Sequence, residues 1–295
     1  MSPAARSASR AAAARPAPLL RRVPPPSLFI LGAVTQYVGS SFAVLLFDQV
    51  PAAGVAWLRV LAAAVALLVW RRPWQTPWNA ARLRLVAAFG IALGLMNLSF
   101  YLSLDRLPLG TAVAIEFSGP IAVAALGSRT RRDLIALALA LTGVLALADV
   151  HIEGTPLGVV FALGAGVGWA LYIVLGHRVA RDPGIHAQDG LAAGMVIGAV
   201  ALAPFLVPSA TPAFGSPSLL GACLVVGLMS SVVPYALEQI TMSRLPRARF
   251  ALLLSLLPAT AAIVGAIVLG QVPKPIEAAG IALVVFASSL RSHAA

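Results

Sequence analysis

The feature that most constrains this chain is a succession of long apolar segments separated by short breaks. A helix that crosses a lipid bilayer needs about 20 mostly apolar residues. Ten segments meet or approach that length, at residues 27–47, 51–70, 84–104, 108–126, 133–149, 156–177, 188–207, 217–240, 250–269 and 275–290. The sequence therefore predicts an all-α integral membrane protein with ten transmembrane helices.

The composition supports a membrane location. Hydrophobic residues make up 60% of the chain and charged residues 11%, whereas soluble domains have about 45–50% and about 25%. The net charge of +11 could suit nucleic acid, but the basic residues lie in the short breaks between apolar segments. That placement is typical of membrane-protein loops. We therefore expect the lipid bilayer, and no nucleic acid, as a partner.

The placement of charge also predicts the orientation. With a cytoplasmic N-terminus, eighteen basic residues fall on the inner side and two, Arg106 and Lys274, on the outer side. The positive-inside rule then predicts a multi-pass protein of the cell (inner) membrane with both termini cytoplasmic. Residues 1–26 hold five arginines and no acid, which predicts a disordered basic cytoplasmic tail, with a transit peptide as the alternative. Residues 291–295 form a short cytoplasmic C-terminal tail.

Two short motifs recur in the same order, five predicted helices apart. The first is Phe29-Ile-Leu-Gly-Ala33, which recurs as Phe161-Ala-Leu-Gly-Ala165. The second is Arg106-Leu-Pro108, which recurs as Arg244-Leu-Pro246, and in both copies another proline, Pro120 or Pro258, follows twelve residues after the first. Five is an odd number, so duplicated units must insert with opposite orientations. This predicts two inverted five-helix repeats, 27–149 and 150–290, an architecture found in secondary transporters with a substrate site between the repeats.

Glu116 is the strongest candidate for a functional side chain. An ionisable group inside a membrane costs about 2.5–3.5 kcal/mol on insertion scales, so each one is a functional candidate. Glu116 lies near the middle of the fourth span, and Pro120 should kink the helix there, as Pro258 should in the ninth. The kink would free a backbone carbonyl beside the carboxyl group, and the two groups together could bind an ammonium group or a proton. The alternative is a protonated or paired structural glutamate.

Two other charged residues remain open to more than one interpretation. Arg59, in the second span, could hold a substrate carboxylate through its guanidinium fork, or could be a fixed structural partner. Glu238, near the end of the eighth span, could act in transport or extend to the cytoplasmic interface. Further polar or amphipathic residues could line a cavity or serve helix packing: Gln36, Tyr37, Asn97, Tyr101, Ser118, Trp169, Tyr172 and Tyr235.

Several chemistries find no support in the sequence. Lys274 is the only lysine and lacks a glycine-rich phosphate loop, so we expect no ATP-driven transport by this chain. Cys223 is the only cysteine, and the four histidines fall in loops, at the end of a predicted span or in the tail, so we expect no metal, no cofactor and no catalytic triad. A membrane-embedded enzyme acting on lipid-linked substrates is the less favoured alternative. It would need catalytic residues clustered at one membrane face.

Several motifs resemble the EamA-type drug/metabolite transporter superfamily, and most of all its threonine/homoserine exporter group. They are Trp57-Leu-Arg59, Gly94-Leu-Met-Asn-Leu-Ser-Phe-Tyr101, Ala114-Ile-Glu-Phe-Ser-Gly-Pro120, Gly164-Ala-Gly-Val-Gly-Trp169-Ala-Leu-Tyr172 and Pro234-Tyr-Ala-Leu-Glu238. The resemblance implies ten helices in two inverted repeats. It also implies export of small amino acids or related metabolites across the plasma membrane, in exchange for protons. Other polar metabolites or drugs are the alternative substrates.

One position departs from the pattern of that group. The group typically has a glutamate immediately before the proline of the ninth span, whereas this chain has Leu257 before Pro258. If that acid helps to couple protons or to hold an amine, the substrate here differs from threonine and homoserine, or Glu116 carries the coupling alone.

Overall fold

The computed structural model describes residues 23–71, 73–127, 131–152, 155–242, 244–245, 250 and 253–292. Throughout these residues the chain is helical, with short connections and no strand. Residues 1–22 of the predicted basic tail and residues 293–295 of the predicted C-terminal tail lie outside the described residues. The all-α class predicted from the sequence is confirmed.

The helices follow one another closely along the chain. We number them α1 Pro25–Leu45, α2 Ala52–Arg71, α3 Ala80–Leu104, α4 Leu109–Glu116, α5 Ser118–Gly127, α6 Arg131–Ile152, α7 Pro156–Arg181, α8 Ala187–Phe214, α9 Pro217–Gly227, α10 Val233–Met242, α11 Leu257–Leu269 and α12 Pro275–Ser292. A 3₁₀ turn, Pro73–Gln75, follows α2, and a π-helical turn, Leu228–Val232, joins α9 to α10.

Six described helices are long and apolar enough to cross a membrane by length and composition. They are Pro25–Leu45, Ala52–Arg71, Ala80–Leu104, Pro156–Arg181, Ala187–Phe214 and Pro217–Glu238. Four shorter apolar helices coincide with the remaining predicted spans: Leu109–Val123, Leu134–Leu147, Leu257–Leu269 and Pro275–Leu290. Large apolar side chains are exposed on the outside of the bundle, including Phe205 and Ile267. The chain is thus a multi-pass, all-helical membrane protein.

The end of α8 differs from the sequence-based expectation. The seventh predicted span ends at residue 207, and Pro204, Pro208, Pro212 and Pro217 predict a charge-free external loop around that end, but the helix continues through the first three prolines to Phe214. The three prolines are spaced four residues apart and are exposed, so the missing N–H donors fall on one face. The Thr211 hydroxyl satisfies the Pro208 carbonyl, at 2.8 Å. The opposite face packs on α2, and this packing outweighs the cost of the prolines.

The fourth and ninth spans are both interrupted just before a proline. α4 ends at Glu116, Phe117 forms a turn, and α5 contains Pro120. Similarly, Ser255 and Leu256 form a turn, and α11 begins at Leu257 with Pro258 in its first turn. A proline lacks the N–H that would bond four residues back, so the helix loses a hydrogen bond at this point. At its other end α11 stops at Gly270, whose φ of 68° places it in the left-handed region.

The helices pack in pairs that are distant in sequence. α3 packs along α7, α1 along α10, α2 along α8, and α6 along α12, while α4 contacts α11. Glycines allow several of these contacts to be made between backbones. A Cβ on Gly90 of α3 would collide with the Gly194 carbonyl of α8, and one on Gly143 of α6 would lie 2.8 Å from the Gly280 carbonyl of α12. Close approach through small residues is the usual mode of helix packing in membranes.

Candidate functional site

Glu116 lies at the interrupted point of the fourth span, inside the bundle. It is the last residue of α4 and is 7% exposed. Pro120 cannot donate to the Glu116 carbonyl, which faces α7, where a Cβ on Gly166 would lie 2.9 Å from it. Among the described residues, the Glu116 carboxylate makes no hydrogen bond and no ion pair. A buried acid without a partner is available to a proton or to a cationic ligand.

Arg59 of α2 is held by the π-helical turn Leu228–Val232. Its Nε donates to the Ser231 hydroxyl at 3.0 Å, and its Nη2 donates to the Ser230 carbonyl at 2.9 Å. Its Cζ lies 5.1 Å from the centre of the Tyr101 ring on α3, a cation–π contact. Arg59 is 5% exposed. Two of its three guanidinium nitrogens therefore connect α2 to the π-helical turn, a kind of element that is frequent at functional sites.

The Arg59 contacts lead to a stability prediction. We expect Arg59→Lys to lower the free energy of unfolding by about 1.5 kcal/mol, because a lysine ammonium cannot reproduce the two-pronged hydrogen bonding of a guanidinium. Chemical denaturation of the purified protein in detergent would measure this. Arg84→Lys is the matched control, since Arg84 is exposed and its Nε donates to the Ala80 carbonyl of its own helix. Equal midpoints for the two variants would contradict the prediction.

Three charged residues from different helices lie within electrostatic range of two tyrosines. Tyr37 of α1 and Tyr235 of α10 each interact electrostatically with Arg59, Glu116 and Glu238. We call these five residues the central cluster. Tyr37 is 1% exposed, and Tyr235 and Glu238 are partly buried. The structure thus brings side chains from four helices, separated by up to 201 residues in sequence, to one place in the bundle.

Glu238 belongs to this cluster. It acts electrostatically on Tyr37, Tyr235 and Tyr172, which lie on three different helices. No hydrogen bond or ion pair engages its carboxylate within the described residues. Its nearness to these tyrosines supports a position in the interior of the bundle, while a part in transport and an extension to the cytoplasmic interface both stay predictions for Glu238. The sequence gives the depth of a residue along a helix, but not the direction that its side chain takes.

Two aromatic residues of α7 pack against the site. Trp169 makes an edge-to-face contact with Phe117 in the interruption between α4 and α5, with ring centres 5.1 Å apart. Tyr172 stacks on Phe89 of α3 at 5.3 Å. The Phe117 contact joins α7 to the turn that follows Glu116. Tyr172 extends the polar interior towards Glu238.

The remaining predicted residues have more local surroundings. The Asn97 side chain donates to the Leu93 carbonyl of its own helix at 2.8 Å. Ser118 lies beside Gly166 in the contact between α5 and α7, and Gln36 is partly buried on α1. Tyr101 is fully buried beneath Arg59. Of these four, only Tyr101 contacts a charged residue of the central cluster through its side chain in the described structure.

Buried hydroxyl groups lie on the elements around Arg59 without hydrogen-bond partners in the described residues. They are Oγ of Ser40, Ser41 and Ser230, and the Tyr101 hydroxyl. A Cβ on Gly39 would lie 2.5 Å from Ser230 Oγ, so α1 packs directly against the π-helical turn. Buried polar groups are normally satisfied by protein or by ordered water. These hydroxyls therefore give the interior beside Arg59 a hydrogen-bonding capacity that the protein itself does not use.

Sequence reasoning missed the residues that hold Arg59 and the ion pairs at the ends of the helices. Ser230 and Ser231 are the only adjacent serines in the eighth span, and that pair was the available signal. Arg71 of α2 pairs with the fully buried Asp189 of α8 at 3.1 Å. Arg82 of α3 pairs with Asp182 after α7 at 3.0 Å. Nothing in the sequence identifies these pairs, because their members are about a hundred residues apart.

Two known exporters and one family model match this chain. The threonine/homoserine exporter RhtA of Escherichia coli (strain K12) is 35% identical to the chain over 277 residues, which is 91% of this chain and 92% of the relative. RhtA of Salmonella typhimurium (strain LT2) is 36% identical over 255 residues, 85% of each chain. The model of the EamA-like transporter family matches residues 156–292. The chain belongs to the EamA-like transporter family.

A solved structure supports the fold of this EamA-like protein. One crystal structure, whose description names no particular protein, matches the chain with a TM-score of 0.52 and 18% sequence identity. The match covers 90% of this chain and 95% of the other. At that identity the match shows the fold alone. The resemblance seen in the sequence motifs is confirmed, and the family assignment makes the chain a transporter rather than an enzyme.

The position that departs from the exporter group is apolar and buried in this EamA-like protein. Leu257 is 3% exposed and begins α11. Glu116 and Glu238 are the carboxylates of the central cluster in the described structure. Among the described residues, no group of three or more metal-binding side chains occurs. The site therefore offers one buried and one partly buried carboxylate, with tyrosines and hydroxyls, to a ligand.

Proposed function

We propose that this protein is a secondary active transporter that exports small amino acids resembling threonine or homoserine in exchange for protons. It acts in the inner membrane, with both termini cytoplasmic and without ATP. The observation that carries the proposal is the unpaired, buried Glu116 at the interruption of the fourth span, in a chain that is 35% identical to threonine/homoserine exporters over most of its length.

The pattern of helix packing supports two inverted five-helix repeats. The six long and four shorter apolar helices would give ten crossings. In span numbers, α3 and α7 are spans 3 and 6, and adding five, counted around ten, gives spans 8 and 1, whose helices α10 and α1 are also in contact. In the same way, the contact of α5 with α7, in spans 4 and 6, becomes that of α11 with α1, in spans 9 and 1. The pairs α2–α8, α6–α12 and α4–α11 convert into themselves. Two similar repeats of opposite orientation can exchange conformations, which provides alternating access.

A single buried carboxylate is sufficient to couple a proton to a substrate amine. Glu116 can hold a proton or an ammonium group, but not both, so each ligand displaces the other. In a cell membrane the proton gradient drives protons inwards, and the substrate then moves outwards. Glu238, nearer the basic end of the bundle where α2 and α7 finish, is a second place for a proton. Arg59 is a positioning residue in this proposal, because the π-helical turn already engages its Nε and Nη2.

One observation favours a second candidate substrate class, namely other small polar metabolites or drugs. Leu257 replaces the acid that the exporter group typically has before the proline of the ninth span, and it is buried beside Pro258 in the first turn of α11. With one acid fewer, the interior would accommodate a neutral or weakly basic solute more easily than a solute that carries two ammonium groups. The choice between the two classes rests on which solutes are moved.

Proteoliposomes loaded with labelled solute would test the proposal. We expect an acidic exterior to increase the efflux of threonine or homoserine several-fold, and a protonophore to remove the increase. A panel of other polar solutes under the same gradient decides between the two substrate classes. Efflux of all these solutes that is unaffected by the pH gradient would contradict proton coupling. Dependence on ATP inside the vesicles would contradict the secondary mechanism.

A further inference from the structure

A cavity lies at the end of the bundle where α7 finishes, away from the residues of the central cluster. Its volume is about 570 Å³. Among the described residues it is lined by Val123 of α5, by Ile173, Val174, His177, Arg178 and Arg181 of α7, and by Asp182 after α7. A cavity of this size can hold a headgroup or part of a chain-like ligand. No residue of the proposed transport site takes part in its lining.

The lining changes from apolar to basic along α7. Ile173 and Val174 come first, His177 and Arg178 follow one turn later, and Arg181 follows in the next turn. At 1.5 Å per residue, the distance along the helix from Val174 to Arg181 is about 10 Å. Val123 of α5 adds a further apolar wall. The cavity thus has an apolar part along α7 and a basic rim at the end of that helix.

The acid in the lining does not neutralise the rim. Asp182 Oδ1 already accepts two hydrogen bonds, from the Arg82 Nε at 3.0 Å and from the Gly184 N–H at 2.8 Å. In contrast, Arg178 and Arg181 have no hydrogen bond or ion pair among the described residues. Basic residues are favourable in the last turn of any helix because of the helix dipole. The dipole accounts for the arginines, but not for an apolar-walled cavity beside them.

The cavity opens towards the outside of the bundle. Val174 is 41% exposed, and His177, Arg178 and Arg181 are exposed as well. By contrast, Trp169 and Tyr172 of the same helix pack on aromatic rings of neighbouring helices. A ligand would therefore enter from the surrounding bilayer and its interface, and not from the interior transport pathway.

We propose that this cavity binds an anionic phospholipid. The headgroup phosphate lies between Arg178 and Arg181, with His177 as a further donor, because guanidinium groups bind phosphate oxygens through paired hydrogen bonds. One acyl chain lies against Val123, Ile173 and Val174. Basic pockets between transmembrane helices next to apolar walls recognise lipid headgroups in this way. The proposal requires only that the chain lies in a membrane, and so it does not depend on the transported solute.

Native mass spectrometry of the purified full-length protein would test the proposal with dioleoyl phosphatidylglycerol as the probe and dioleoyl phosphatidylcholine as the uncharged-headgroup control. We expect the wild type to retain phosphatidylglycerol in preference to phosphatidylcholine. The pair Arg178→Gln and Arg181→Gln should reduce retention several-fold by removing the phosphate contacts. Val174→Trp should reduce it by filling the apolar part without changing charge. Arg84→Gln, an exposed arginine outside the cavity, should retain the lipid as the wild type does.

Three results would overturn the proposal. The first is equal retention of phosphatidylglycerol by the wild type and the double arginine variant, both folded by size-exclusion chromatography. The second is equal retention of phosphatidylcholine by the wild type. The third is complete displacement of phosphatidylglycerol by an equal concentration of glycerol 1-phosphate, which would assign the rim to a free phosphate group. The arginine variants decide the outcome even if Val174→Trp fails to fold.

Discussion

Glu116→Gln is expected to reduce proton-driven efflux in proteoliposomes to the level of protein-free vesicles. Glutamine keeps the size and hydrogen-bonding capacity of the side chain but can neither release a proton nor attract an ammonium group. Since Glu116 is buried and forms no ion pair among the described residues, the substitution breaks no structural contact there. The variant should therefore fold, and its purified form should elute from size-exclusion chromatography as the wild type does.

Two further variants separate a coupling role from a merely structural one. Glu116→Asp keeps an exchangeable carboxyl group, so efflux should be reduced but should still respond to the pH gradient. Asp105→Asn removes an exposed carboxylate that pairs with Arg106 beside it, and should transport as the wild type does. If Glu116→Gln keeps gradient-driven efflux, Glu116 has no part in coupling. If Glu116→Asp loses all response to pH, the acid serves position and not proton exchange.

The sequence predicted the helices well because crossing a bilayer imposes a length and an apolar composition on each one. These rules give the wrong end for a helix when packing against another helix extends it. Pro204, Pro208 and Pro212 read as loop signals, yet α8 continues through them, because the face opposite the prolines is packed against α2. A single sequence does not reveal which face of a helix has a partner.

The candidate site was predictable where its cause is local. Pro120 and Glu116 are four residues apart, so the interruption beside the carboxylate follows from the chemistry of proline. Arg59 and Ser231 are 172 residues apart, and their hydrogen bond depends on a π-helical turn that no sequence rule predicts. Likewise, Glu238 joins Tyr37 only because α10 packs along α1. Charges were found from the sequence, but their partners were not.

Gly119→Ala is expected to lower the free energy of unfolding by about 3 kcal/mol, at the upper end of the range for overpacking. Gly119 follows the interruption after Glu116, and a Cβ there would collide with the Gly166 carbonyl of α7. Gly166 in turn lies against the Glu116 carbonyl, so the two glycines form a backbone contact between α5 and α7. A backbone carbonyl cannot move aside as a flexible side chain can. The helices must therefore separate, which displaces Glu116.

Gly221→Ala is the matched control for this prediction. Gly221 is also in a helix, α9, but a Cβ there would meet nothing within 4 Å. Alanine is favoured over glycine in a helix interior by about 0.5–1 kcal/mol, so this control should be neutral or slightly stabilising. Denaturation in detergent would give both values, and gradient-driven efflux should fall only for Gly119→Ala. If the two variants are equally stable, α5 and α7 are not in backbone contact, and the helices do not fix Glu116 at the interruption.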